Sequence, residues 1–174
     1  AGLAEETDEY VTGEASGNGW QIMLGDSSER LSEIADKSVG MSVFSPPFAS
    51  LYQYSNSPRD LGNCSDSGQF WQQFGFISAQ LVRVMMPGRI VCVHVSQIPT
   101  LKERDGIIGL SDFRGDTIRH FVGAGFVYHG EVCIDKDPQA QSIRTRAKGL
   151  GFVQIDRDSS WMRPALADYI LLFR

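Results

Sequence analysis

Val39-Gly40-Met41-Ser42-Val43-Phe44-Ser45-Pro46-Pro47-Phe48 is an apolar run that halts at two adjacent prolines. Val39 to Phe44 reads as a buried strand. Neither proline can donate to a sheet ladder, so the strand has to end at Ser45-Pro46-Pro47-Phe48. Upstream, Trp20-Gln21-Ile22-Met23-Leu24 alternates as a short strand and is stopped by Gly25-Asp26. Ser27 is placed to cap a helix to about Ala35, with Leu31 and Ile34 inward. Asp36-Lys37-Ser38 then turns the chain into the strand that carries the prolines.

Downstream, residues 49–68 form a long polar loop, a length that is usually functional or disordered. Phe70, Phe74, Ile77, Leu81 and Val84 recur at three- and four-residue steps and predict a helix. Met86-Pro87-Gly88-Arg89 is a turn feeding a strand from Ile90 to Val95, and residues 100–112 are a mixed loop. A second helix is expected over Gly115 to Ala124, with Ile118, Phe121 and Val122 inward and Gly125 ending it. Phe126 to Ile134 and Asp168 to Arg174 read as strands, with an irregular stretch over 136–164 between them. The alternation implies an α/β domain: a mostly parallel sheet, helices on both faces, and the last two strands paired antiparallel at one edge. Residues 1–19 carry no apolar period and are expected as a flexible lead-in to a domain over 20–174.

The chain has 174 residues, enough for one domain with a core and too few for two comfortable ones. A net charge of −5 argues against a chain that coats nucleic acid over its whole surface, though not against a local basic groove. Cys64, Cys92 and Cys133 are an odd set at wide spacing, which suits neither a disulfide framework nor a zinc site. Asp135, Asp137, Asp156 and Asp158 lack metal-ligand spacing, so no metal is expected. Nor is a membrane span, and a reducing cytoplasm is the expected setting.

Chemistry enters at Ser45-Pro46-Pro47-Phe48, because open α/β sheets bind ligands at the carboxyl ends of their strands. Two prolines fix the backbone and leave carbonyls without ladder partners. A fixed carbonyl beside the Ser45 oxygen makes a pair of acceptors suited to an NH2 group, and Phe48 offers a flat face beside them. The exocyclic nitrogen of cytosine or adenine is a poor nucleophile, since its lone pair is delocalised into the ring. Two acceptors on its hydrogens favour a pyramidal nitrogen and aim the lone pair at a methyl donor, which is catalysis by orientation and electrostatic preorganisation. A base in duplex DNA has to be flipped out to reach such a corner. The plain alternative is that Pro-Pro after a strand is only a rigid turn.

Together these residues resemble the DNA amino-methyltransferases of the cytosine-N4 and adenine-N6 kind, whose catalytic motif is (Asp/Asn/Ser)-Pro-Pro-(Tyr/Phe/Trp). Ile22 to Leu31 followed by Ser38 to Phe48 is similar to the opening of their permuted beta group, in which a Gly-Asp strand precedes the motif by about twenty residues. Met86-Pro87-Gly88-Arg89 is similar to the Leu-Lys-Pro-Gly turn of many methyltransferases. The segments around Tyr54-Ser55-Asn56, Arg59 to Cys64 and Lys102 to Gly106 look like a subfamily often carried by phages and mobile elements.

The resemblance implies a Rossmann-like methyltransferase fold, S-adenosylmethionine as cofactor and double-stranded DNA as partner. Asp26 would contact the adenosine part of the cofactor. Ser45, also beside the cofactor, and the Pro46 carbonyl would accept from the target amino group. Pro47 would hold the corner, and Phe48 would stack on the flipped base. The serine form of the motif leans the target toward cytosine.

Members of this order carry a target-recognition region and a Phe-x-Gly-x-Gly cofactor strand after the part present here, and neither is found. Gly13 to Gly17 and Gly149-Leu150-Gly151 lack the strand–turn–helix setting of such a loop. The chain is therefore expected to be an N-terminal fragment or split product. Its interrupted sheet would be completed by the missing half, by a second chain or by a homodimer. Tyr52, Tyr54 and Asn56 are placed to line a base pocket, and Arg144 and Arg146 to meet DNA phosphate, against the plainer reading of a solvated loop. His94, His120 and His129 are scattered and read as solvated or hydrogen-bonded in place, with His94, after a central strand, kept as a secondary candidate for the site. Two alternatives stay open: a methyltransferase-like module that binds without chemistry, and an enzyme acting on RNA or a protein amide.

Overall fold

The computed structural model describes residues 11–48, 60–145 and 165–174. Tyr52, Tyr54, Asn56 and Arg146 lie outside them. The chain divides into two compact units, one of residues 1–40 and 49–87, the other of 41–48 and 88–174.

The first unit opens with an antiparallel hairpin of β1 (Gly13–Gly17) and β2 (Trp20–Leu24), in register from Gly13 opposite Leu24 to Gly17 opposite Trp20. Residues 13–17, expected within a loose lead-in, are therefore a strand. Glu14-Ala15-Ser16 has no apolar alternation to announce it. The pairing is set by its partner and by the tight Asn18-Gly19 connection, where Gly19 takes φ 81.

After β2, α1 (Ser27–Arg30) is one turn long and passes into a 3₁₀ turn over Leu31–Glu33, shorter than the helix expected to Ala35. Its cap is Asp26, not Ser27: the carboxylate accepts from the Ser28 N–H at 2.8 Å and the Ser28 hydroxyl at 2.7 Å. The Arg83 guanidinium explains the early stop. It donates to the Leu31 carbonyl at 2.7 Å, which a helix running to Ala35 would have bonded internally, and holds the chain beyond it through the Ile34 carbonyl at 2.8 Å and the Asp36 carboxylate at 2.5 Å.

Arg83 belongs to α2 (Ser67–Val84), whose cap Asp66 accepts from the Gln69 N–H at 2.9 Å. One face of α2 buries Phe70, Phe74, Leu81 and Val84, with Ser78 in the row because its hydroxyl donates back to the Gly75 carbonyl at 3.1 Å.

The second unit is built on a four-stranded sheet in the order β3 (Val39–Phe44), β4 (Met85–Ser96), β8 (Ala167–Phe173), β7 (Tyr128–Asp135). β8 runs antiparallel to both neighbours, from Val91 opposite Phe173 to Ser96 opposite Asp168 on one side and from Tyr128 opposite Phe173 to Asp135 opposite Ala167 on the other. β4 and β7 therefore point the same way, and the antiparallel pair β7–β8 lies at one edge as the sequence predicts. β4 starts at Met85, earlier than expected, and takes the Met-Pro-Gly turn within its span with Gly88 at φ 76.

Val91, Val93, Val95, Leu171 and Phe173 are buried in this sheet, and Phe121 stacks on Phe173 with ring centroids 4.6 Å apart. Phe121 comes from α4 (Phe113–Ala124), which starts two residues earlier than the expected Gly115 because Asp112 caps it, accepting from the Gly115 N–H at 3.0 Å. Its inner row is Phe113, Thr117 and Phe121. Val122, expected inward, is 49% exposed. Thr117 takes the core place because its hydroxyl donates to the Phe113 carbonyl at 2.7 Å and needs no water.

The stretch expected as loop over 100–112 holds a small hairpin, β5 (Ile98–Thr100) with β6 (Gly109–Ser111), enclosing α3 (Lys102–Asp105). α5 (Pro138–Thr145) occupies the start of the stretch expected to be irregular, and Arg144 lies on it. Among the described residues β3 ends the sheet on the other side, with Met41 61% and Val43 67% exposed. Among the described residues no helix is long and apolar enough to cross a membrane.

Candidate active site

Where β3 ends, the backbone enters Ser45-Pro46-Pro47-Phe48 as expected. Ser45 is exposed, Pro46 is buried, and Pro47 and Phe48 are half-buried. The buried proline anchors the corner and the serine faces out. Phe48 is held edge-on by the Phe113 ring, with centroids 5.9 Å apart, and lies 6.3 Å from the His94 ring.

The second strand at the corner is β4, which contributes His94. The Ser45 hydroxyl oxygen lies 3.1 Å from the His94 carbonyl and 3.3 Å from His94 Nδ1. The other side of the imidazole faces β8: His94 Nε2 is 3.3 Å from Asp168 Oδ2, and the second Asp168 oxygen accepts from Lys136 Nζ at 2.7 Å. Strand pairing explains the meeting, since Asp168 pairs with Ser96 across one ladder and with Ile134, two residues before Lys136, across the other. Burial pushes the Asp168 carboxyl up, but the Lys136 and Ser96 hydrogen bonds, the Lys136 charge and the His94 contact outweigh it and hold the group below its ordinary range.

This order of groups decides what the corner can do. A carboxylate only accepts, so Nε2 facing Asp168 carries the hydrogen in the neutral ring and Nδ1 is the bare nitrogen. The Ser45 hydrogen therefore points into the protein, toward the His94 carbonyl or Nδ1, and the serine oxygen keeps lone pairs for a donor arriving from solvent. A serine nucleophile for acyl transfer fits less well. The ring is turned the opposite way from the usual hydrolase triad, which offers Nε2 to serine. Pro46 also removes the N–H after the serine that would serve an oxyanion.

Asp26 is half-buried in the first unit as the cap of α1. His120 is held neutral more firmly by burial, and His129 is exposed. Asp168 and Lys136 are the partners that sequence reading missed. Neither has a motif around it, and only the pairing of β4, β8 and β7 brings them to His94.

No protein-family profile matches the chain, and no curated protein sequence does. Solved structures do. A candidate DNA modification methylase of Thermus thermophilus, complexed with S-adenosyl-L-methionine, superposes with a TM-score of 0.61 at 19% identity, over 87% of this chain and 51% of that one. The PvuII DNA methyltransferase, cytosine-N4-specific, superposes with a TM-score of 0.57 at 17% identity, over 86% of this chain and 47% of that one. The chain spans about half the length of the solved structures it matches. At these identities the likeness establishes architecture: this chain has the open α/β, Rossmann-like fold of methyltransferases.

Proposed function

We propose that this chain carries the base-holding corner of an S-adenosylmethionine-dependent DNA methyltransferase that modifies an exocyclic amino nitrogen, cytosine N4 rather than adenine N6. The observation that carries this reading is Ser45, an exposed serine at a strand end whose hydroxyl hydrogen is directed inward to His94. Its oxygen is left as an acceptor beside the half-buried ring of Phe48. An NH2 group needs that acceptor, and a planar base needs that ring.

In this reading Ser45 and the Pro46 carbonyl accept the two amino hydrogens, Pro46 and Pro47 keep the acceptors fixed, and Phe48 stacks on the flipped base. The cofactor supplies an electrophilic methyl group when bound. Its ribose hydroxyls ask for a carboxylate at a strand end. Asp26 fits that demand in kind and place, closing β2 with its oxygens already oriented by the Ser28 bonds. The edge of β3, with Met41 and Val43 exposed, is where a further strand would complete the sheet, from more of the same polypeptide or from a second chain.

Methyl transfer from labelled S-adenosylmethionine to DNA, RNA and protein tests the reading. The expected product is DNA labelled on cytosine N4. Ser45→Ala should mainly lower turnover, by about 10²–10³-fold as for loss of one preorganised hydrogen-bonding group, and Phe48→Ala should weaken DNA binding. Label on RNA or protein alone would move the substrate class. Unchanged turnover in the Ser45→Ala/Phe48→Ala double variant would discard the site.

A further inference from the structure

We propose that Ser45 and His94 form a proton relay, braced by Asp168 and Lys136, that drains the proton released when the target nitrogen is methylated. The inference rests on the reading of Ser45 as the acceptor for the target amino group and extends it to where the proton goes. As the N–C bond forms, the donor's S–CH3 bond breaks with its electron pair staying on sulfur, and –NH2 becomes –NH2CH3⁺. A neutral product requires one N–H bond to break, with its electron pair staying on nitrogen. Ser45 takes that proton on its oxygen while its own hydrogen passes to His94 Nδ1. The serine is regenerated, and the imidazole becomes an imidazolium whose Nε2–H stays against the Asp168 carboxylate.

Each part of that sequence has a place in the structure. Oxygen and Nδ1 are 3.3 Å apart, a reach that catalytic hydrogen bonds tighten when substrate is present. The carboxylate at 3.3 Å from Nε2 both selects the tautomer that leaves Nδ1 bare and stabilises the charge that forms. Lys136 occupies the other Asp168 oxygen at 2.7 Å, which leaves Oδ2 to the ring and keeps the carboxylate ionised. The His94 side chain is 38% exposed, so the collected proton has a path to water. His94 acts through Ser45, with Asp168 and Lys136 as positioning residues behind it.

The test has two arms. Nitrogen-15 NMR of the full chain reads the His94 tautomer without any substrate. The expected neutral form carries hydrogen on Nε2, and Asp168→Ala should abolish that preference; a wild-type ring protonated on Nδ1 overturns the relay. In methyl-transfer assays, His94→Gln keeps a polar side chain but takes no proton. It should lower kcat by about 10²-fold, at the lower end for general-base groups, with little change in KM for DNA. His94→Ala should regain part of its rate with added imidazole. Full turnover in His94→Gln, or a folded His94→Ala that imidazole does not rescue, overturns the proposal. If the protein with its sheet completed methylates nothing, the functional reading falls, and the tautomer arm still decides whether the relay is built.

Discussion

Asp168 sits between the Lys136 ammonium and the His94 ring, with only 19% of its side chain exposed. Its ionisation therefore bears on folding as well as on the site. The folded-state carboxyl lies below its unfolded value. Its contribution is then fully present above about pH 4–5 and is lost as pH falls through the depressed folded value. Asp168→Asn should cost about 1.5–3 kcal/mol at neutral pH, the range for hydrogen bonds to charged groups. That cost should shrink toward zero in acid, because the wild-type carboxyl is then protonated too. Urea unfolding of both proteins at neutral pH and near pH 2–3 measures the difference, and an undiminished gap in acid would contradict the assignment. Nothing near residue 168 in the sequence announces this role. An acidic residue opening an apolar strand reads as an ordinary strand end, and its partners come from other strands.

At the scale of elements, α4 shows how closely a helix depends on its two ends. Asp112 caps it through the Gly115 N–H, and a Cβ at Gly115 would lie 2.1 Å from an Asp112 carboxylate oxygen. Gly125 ends it at φ 110. Asp112→Ala should cost about 1 kcal/mol for the lost cap. Gly115→Ala should cost a similar amount, by pushing the Asp112 side chain off the helix end. Gly125→Ala should cost about 1–2 kcal/mol for the left-handed backbone. Thermal unfolding reads all three, and the Asp112→Ala and Gly115→Ala effects should not add, since both remove the same bond.

The end of α4 at Gly125 was legible in the chain, because glycine is the residue that this conformation tolerates best. Its inner face was less so. Thr117 displaced Val122 from the core by bonding its hydroxyl to Phe113, a choice that hydrophobic periodicity does not see. Side-chain bonding also cut α1 short, there by the Arg83 fork from about fifty residues away in the chain, equally invisible to periodicity.

For the whole molecule, the sheet is the deciding feature. Among the described residues it ends at β3 with Met41 and Val43 exposed, and a terminal strand of that kind is a template for pairing with another strand. The Met41→Lys/Val43→Lys double variant should lower self-association in sedimentation velocity, since edge lysines discourage strand pairing; unchanged association would place any contact elsewhere.

Alternating strand and helix signals sufficed for an α/β fold with an antiparallel pair at one edge, because those signals are short-range. The rigid corner at Ser45 to Phe48 was equally local: two prolines end a strand whatever surrounds them. The company Ser45 keeps was not local. His94 lies 49 residues away in the chain, and Asp168 near its far end. They meet because backbone hydrogen bonding between strands sets which residues stand side by side, and no pattern within one strand encodes its neighbour's register.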